Sequence, residues 1–182
     1  MDEANIESKV IILAGLDNGG KTSIAFSLRG IKNLPLFSTT IPTKSRSIVT
    51  VNSYDSIFKI WDLGGQKSYR DEYIKNYQTY LTGFDKFIYV FDVQDVERYD
   101  LALEYCENIF DLLKDNVNPN DVDISIFLHK YDPDLSVTKP EITREVVDDL
   151  KNRIKTILDK TGFFYQIFET TIYAIFEKSV SD

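Results

Sequence analysis

The stretch that most constrains this chain runs from an apolar segment, Lys9-Val-Ile-Ile-Leu-Ala14, through Gly15-Leu-Asp-Asn-Gly-Gly-Lys21-Thr22 into a helical pattern over Lys21–Arg29 that Gly30 closes. It satisfies G-x-x-x-x-G-K-[S/T] in the required strand–loop–helix setting, which implies a phosphate cradle. Glycines let successive backbone N–H groups curl around phosphate oxygens, the helix N-terminus adds partial positive charge, and the lysine supplies a point charge to the outer phosphates. The loop therefore nominates Asp17, Asn18, Gly19, Gly20, Lys21, Thr22 and Ser23 as nucleotide-binding residues, with Thr22 also a ligand for Mg²⁺. A Gly-rich turn with no ligand is the alternative.

A buried strand leading into a helix is a βα unit, and the rest of the chain repeats the theme. Arg46–Val51 and Ile57–Leu63 are rich in β-formers and flank the polar turn Asn52-Ser-Tyr-Asp55, predicting an antiparallel hairpin. Lys86–Phe91, Asp123–Leu128 and Phe163–Phe168 read as further strands. Leu101–Leu113 places Leu101, Tyr105, Ile109, Leu112 and Leu113 on one helical face, and Glu141–Leu158 does the same with Val146, Val147, Leu150, Ile154 and Leu158. Ile172–Val180 reads as a short last helix, and residues 31–45, with Pro35 and Pro42, as a loop. The expectation is an α/β fold: a doubly wound, mostly parallel six-stranded sheet with one antiparallel edge strand, as one domain over residues 1–182. Such sheets bind ligands in the loops after the carboxyl ends of their strands.

Charge and cysteine narrow the partners. A net charge of −8 disfavours nucleic acid and anionic lipid surfaces. The lone cysteine, Cys106, permits no internal disulfide and suits a reducing compartment. The polar, acidic N-terminus lacks signal-peptide character, Asp2 stands where myristoylation needs glycine, and no cysteine stands at the C-terminus for prenylation. A cytoplasmic protein with no direct lipid anchor, recruited to membranes through partners, is expected.

Two more motifs follow strands. In Trp61-Asp62-Leu-Gly64-Gly65-Gln66, the aspartate suits a Mg²⁺-bound water, Gly65 lets a backbone N–H approach a terminal phosphate, and Gln66 can orient an attacking water. By itself Asp-Leu-Gly-Gly is an ordinary turn. In His129-Lys130-Tyr131-Asp132, a carboxylate at Asp132 can accept from both N1–H and the exocyclic amine of guanine, which adenine cannot match. Lys130 can lay its stem along the base. His129 is either a base-site residue or a strand-end group tying two loops together.

Together these three elements resemble the Ras-superfamily small GTPases, and a G domain covers essentially the whole chain on that basis. Gly15-Leu-Asp-x-x-Gly-Lys-Thr22, Trp61-Asp-Leu-Gly-Gly-Gln66 and Thr40-Ile-Pro-Thr43 look like the Arf family. His129-Lys-x-Asp132, Phe87–Asp95 and Phe168–Tyr173 look instead like the Rag GTPases. The resemblance implies GTP and GDP with Mg²⁺ as ligands, and Thr22, Thr43 and Asp62 as the metal set. It also implies Thr170 and Thr171 near the guanine oxygen, and protein effectors, an exchange factor and an activating protein as partners. Arf proteins carry an acylated glycine and an amphipathic N-terminal helix that this sequence does not match. Rag subunits continue after the G domain into a dimerisation domain that this sequence does not match, which counts against a Rag-style obligate heterodimer, and pairing with a related GTPase is kept as an alternative.

The implied chemistry is slow hydrolysis of GTP, with Lys21 neutralising the β/γ-oxygens and Gln66 orienting water. No arginine lies among Ser38–Pro42, where G proteins that supply their own arginine carry it, and Arg46 falls on the other side of Thr43. An intrinsic rate of the order of 10⁻⁴ to 10⁻³ per second follows by analogy with Ras. Residues 36–46 and 64–80 become the switch segments. Tyr69, Tyr73, Tyr77 and Tyr80 in the second would either recognise partners or pack a helix onto the sheet. The competing functions are a nucleotide-holding scaffold with little hydrolysis and a P-loop ATPase or small-molecule kinase.

Overall fold

A computed structural model describes residues 7–30, 43–53 and 56–172. The predicted last helix lies outside these residues except for Ile172, as do most of the 31–45 loop and Tyr54 and Asp55 of the hairpin turn. The described elements are β1 (Glu7–Ala14), α1 (Lys21–Leu28), β2 (Arg46–Asn52), β3 (Ser56–Leu63), α2 (Lys67–Lys75), α3 (Tyr77–Tyr80), β4 (Lys86–Asp92), a 3₁₀ turn (Val96–Arg98), α4 (Tyr99–Asn116), β5 (Asp123–His129), α5 (Leu135–Thr138), α6 (Arg144–Leu158) and β6 (Tyr165–Glu169).

The six strands form one sheet in the order β2-β3-β1-β4-β5-β6. Only the β2–β3 pair is antiparallel, as the hairpin reading required; the other pairs are parallel. Alternation of side chains sends Leu13, Ile60, Ile88 and Val90 to one face, where Ile24 and Ala25 of α1 cover them. Ile12, Ala14, Phe87, Tyr89 and Phe91 go to the other, under α2, α4 and α6. With helices on both faces, the central strands are apolar at nearly every position, which is why they stand out in the sequence. The register pairs Leu13 with Asp62, Ala14 with Tyr89, and Asp92 with His129. One edge of the sheet thus gathers the loops that begin at Gly15, Gly64, Val93, Lys130 and Thr170.

Three local expectations need correction. Helix α4 begins at Tyr99 rather than Leu101, and its buried stripe runs through Tyr99, Leu103, Cys106, Phe110 and Leu113, flanked by Ala102, Tyr105 and Ile109. Leu101 falls just outside that stripe and is 38% exposed, and Leu112 is half-buried. Helix α6 starts at Arg144 instead of Glu141, because the Thr143 hydroxyl accepts from the Val146 N–H at 3.4 Å and caps it there. The tyrosine-bearing segment breaks at Asn76 (φ −114°, ψ 39°), so α2 and α3 are separate helices. Tyr73 is fully buried, and Tyr69, Tyr77 and Tyr80 are partly buried against the core. All four therefore pack against the core, Tyr73 entirely and the others in part.

Candidate functional site

At the collecting edge of the sheet a cleft of about 470 Å³ opens over the loop after β1, lined by residues 17–23 together with Thr43, Gly65, Gln66 and Lys130. The loop keeps its curl through two left-handed residues, Asn18 (φ 60°) and Gly20 (φ 86°). At Gly20 a side chain is also excluded sterically: a Cβ there would lie 2.5 Å from Cδ2 of His129. Lys21, buried at the start of α1, donates to the carbonyl oxygens of Gly15 (3.1 Å) and Leu16 (2.6 Å). Burial brings its pKa down to about 8, against the raising influence of Asp62 and Asp17.

Asp62, near the end of β3, is buried behind Thr22 and Thr43, which line the cleft. Its Oδ2 accepts from the hydroxyls of Thr22 (2.5 Å) and Thr43 (2.9 Å), which are themselves 3.0 Å apart. Its Oδ1 is buried without a hydrogen-bond partner among the described residues. Desolvation raises the carboxyl pKa against the lowering influence of the Thr22 hydrogen bond and Lys21, so a buried carboxylate here lacks compensating charge. Just beyond, Gly65 lies so close to the phosphate loop that a Cβ would come within 2.0 Å of the Asp17 amide nitrogen. Gln66 follows, exposed at the N-terminal boundary of α2. The Ser45 carbonyl accepts from the Gly64 N–H at 2.7 Å and from the Tyr73 hydroxyl at 2.5 Å, which ties the Thr43 segment to the Gly64–Gln66 segment and α2.

Three loops hold the far end of the cleft. The His129 ring is buried against Gly20, and its Nδ1 lies 3.0 Å from the Thr170 hydroxyl. Burial, followed by the Lys130 charge, lowers its pKa, which favours a neutral imidazole. In this arrangement the His129 ring links the loops that carry Gly20 and Thr170. Lys130, in a left-handed conformation (φ 62°), pairs with Asp92 at 2.6 Å. The Asp132 carboxylate accepts from Gln94 Nε2 at 2.9 Å through Oδ2 and from the Thr171 hydroxyl through Oδ1. The predicted residues therefore converge, although Thr170 turns to His129 and Thr171 to Asp132.

The sequence reading missed Asp92, Gln94 and Arg98, which come from the end of β4 and the turn after it. Gln94 also donates to the Lys130 carbonyl at 2.9 Å, and Arg98 contacts Asp17 at 3.0 Å. The available signal was positional: the polar run Asp92-Val-Gln-Asp95 leaves a parallel strand at the edge where such sheets carry their sites. Among the described residues no cluster of three His, Cys, Asp or Glu could hold a metal. A site with one carboxylate and two hydroxyls does not need one, since small hard cations are commonly shared between few protein oxygens and substrate phosphates.

A doubly wound sheet with the phosphate loop at its first βα turn defines a P-loop nucleotide-binding domain. A sequence profile described as "Arf: ADP-ribosylation factor family" matches residues 1–168. ADP-ribosylation factor-like protein 3 of Caenorhabditis elegans is 34% identical over 142 residues, which is 77% of this chain and 70% of that protein. ADP-ribosylation factor 3 of Arabidopsis thaliana is 36% identical over 100 residues, 55% of this chain and 50% of that one. The Arl6 small GTPase of Trypanosoma brucei, solved with a bound nucleotide analogue, superposes with a TM-score of 0.66 at 22% identity, over 90% of this chain and 87% of that chain. A bacterial selenocysteine-specific elongation factor shares the fold at a TM-score of 0.63 and 15% identity, over 91% of this chain but 26% of the other.

The chain belongs to the ADP-ribosylation factor family of small GTPases. It is a GTP-binding switch that binds GTP and GDP, with Mg²⁺ as the family's usual cofactor, and hydrolyses GTP. Regulators and effectors come with that class. No helix among the described residues is long and apolar enough to cross a membrane.

Proposed function

We propose that this G domain, taken as one unit over residues 1–182, switches through the contacts described above. The observation that carries the reading is the convergence of Thr22 of the phosphate loop and Thr43 on Oδ2 of Asp62, whose other oxygen, Oδ1, has no partner among the described residues. An all-oxygen set with an uncompensated carboxylate suits Mg²⁺, so these three residues would hold it, directly or through water. When bound, the ion supplies positive charge to the phosphate oxygens.

The chain's own residues do the rest. Backbone N–H groups of residues 17–23 wrap the phosphates, and Lys21, already desolvated, gains an anionic partner there. Thr43 and the Gly65 N–H hold the terminal phosphate and order the switch segments; when it leaves, both tethers are lost. Gln66, exposed at the cleft, orients the attacking water. Asp132 reads guanine by exchanging its bonds to Gln94 and Thr171 for N1–H and the exocyclic amine, Lys130 flanks the base, and Thr170 anchors His129. Turnover without a partner is slow. The His129-Lys-x-Asp132 pattern keeps a Rag-like variation of the base loop, and with it pairing with a related GTPase. A cytoplasmic protein recruited to membranes by partners, without nucleic acid, fits the charge of −8.

Measuring GDP release with and without a chelator tests the core of this proposal. Chelation should accelerate release from the wild-type protein by about tenfold or more, and Asp62→Ala should release quickly in both conditions. Release from the wild type that ignores Mg²⁺ would remove the metal role from Thr22, Thr43 and Asp62.

A further inference from the structure

The phosphate loop carries an acidic residue, Asp17, on the wall of the very cleft that takes polyanions. A carboxylate there opposes the ligand, and the opposition grows with each phosphate charge brought near it. The structure contains the counterpart. After β4 the chain turns through the 3₁₀ turn Val96–Arg98, which delivers Arg98 to the back of the phosphate loop. Its guanidinium donates from Nη1 to Asp17 Oδ1 (3.0 Å), from Nη2 to the Asp17 carbonyl (3.2 Å), and from Nε to Asp95 Oδ2 (2.6 Å). Both the side chain and the backbone of Asp17 are held by one rigid fork, itself braced by Asp95.

We propose that Arg98 is a positioning residue that sets the preference of this switch for the triphosphate. It neutralises Asp17 and fixes its backbone at the point where Gly65 meets the loop. The proposal rests on the assignment of the cleft to the nucleotide phosphates. GTP brings one more phosphoryl group than GDP, so loss of Arg98 penalises GTP more. The guanidinium is committed to Asp17 and Asp95, which also separates it from an arginine that would act on the reacting phosphoryl group.

The test is a comparison of affinities for GDP and for a non-hydrolysable GTP analogue, at fixed Mg²⁺, for wild type, Arg98→Ala, Asp17→Asn/Arg98→Ala and Lys21→Ala, with thermal melts to confirm folding. Arg98→Ala should lower the ratio of analogue to GDP affinity by about tenfold, a figure moderated by the partial exposure of the pair. Adding Asp17→Asn should restore most of that ratio, and raised ionic strength should shrink the defect in Arg98→Ala. An Arg98→Ala protein that loses both nucleotides equally, or an unfavourable ratio that Asp17→Asn fails to correct, overturns the role of Arg98. Lys21→Ala separates that result from failure of the site itself: it should weaken both nucleotides strongly. If it binds them as wild type does, the phosphate-loop assignment falls, and the Arg98 proposal with it.

Discussion

Lys21 offers a prediction whose size can be worked from the structure. Its ammonium is buried, and its hydrogen bonds are to two backbone carbonyls, Gly15 and Leu16, so desolvation dominates and its pKa is about 8. A polyphosphate placed in the cleft supplies the missing counter-charge and restores the ordinary value near 10.5. The sign follows from linkage. The bound state holds the proton more tightly than the free state, so affinity is full below pH 8 and is lost as pH rises through it. Nucleotide binding must then take up about 0.1 proton at pH 7, about 0.5 at pH 8 and about 0.9 at pH 9, with affinity falling about tenfold from pH 7 to pH 9. Calorimetry of GDP binding to nucleotide-stripped protein, repeated in buffers of different ionisation enthalpy, measures the uptake. The rise with pH is diagnostic, because proton release from Asp62, whose pKa is raised by burial, would have the opposite sign. Uptake that stays at zero across this range would show that Lys21 does not meet the phosphates.

Three further outcomes are expected. Asp132→Asn keeps an oxygen that accepts from guanine N1–H but turns an amide NH₂ toward the exocyclic amine; losing the charge and one acceptor should weaken GDP by about 100-fold or more and shift preference toward xanthine nucleotides, whose 2-oxygen accepts there, which a competition assay would detect or deny. Gln66→Leu should lower single-turnover GTP hydrolysis by about tenfold or more from a wild-type rate of the order of 10⁻⁴ to 10⁻³ per second, and an unaltered rate would remove the water-orienting role. For His129, burial holds the folded pKa below 6.5, so the unfolded chain takes the proton first: stability is full above pH 6.5 and is lost as pH falls through the folded pKa. Urea midpoints measured from pH 7.5 to pH 5.5 should fall more steeply for wild type than for His129→Asn, and parallel slopes would refute it.

What the sequence made legible and what it hid differ in kind. The strand–loop–helix around Lys21, the hairpin before Asp62 and the parallel strands are specified by local patterns, because strands buried on both faces and backbone that must curl around anions each restrict nearby residues. Helix boundaries were less legible, since Thr143 and Asn76 decide them through single local geometries rather than through periodicity. Contacts between loops were the least legible. Gln94 meets Asp132 across 38 positions, Arg98 meets Asp17 across 81, and His129 meets Thr170 across 41. None of these pairs has a spacing of its own; each exists because parallel strands deliver their carboxyl ends to one edge. The same fact explains why Asp17 looked like a simple member of the phosphate loop. Its charge makes physical sense only once β4 sets the turn that carries Arg98 beside it, so the residue that conditions the loop's affinity was fixed by topology and could be found only by asking which loops share that edge.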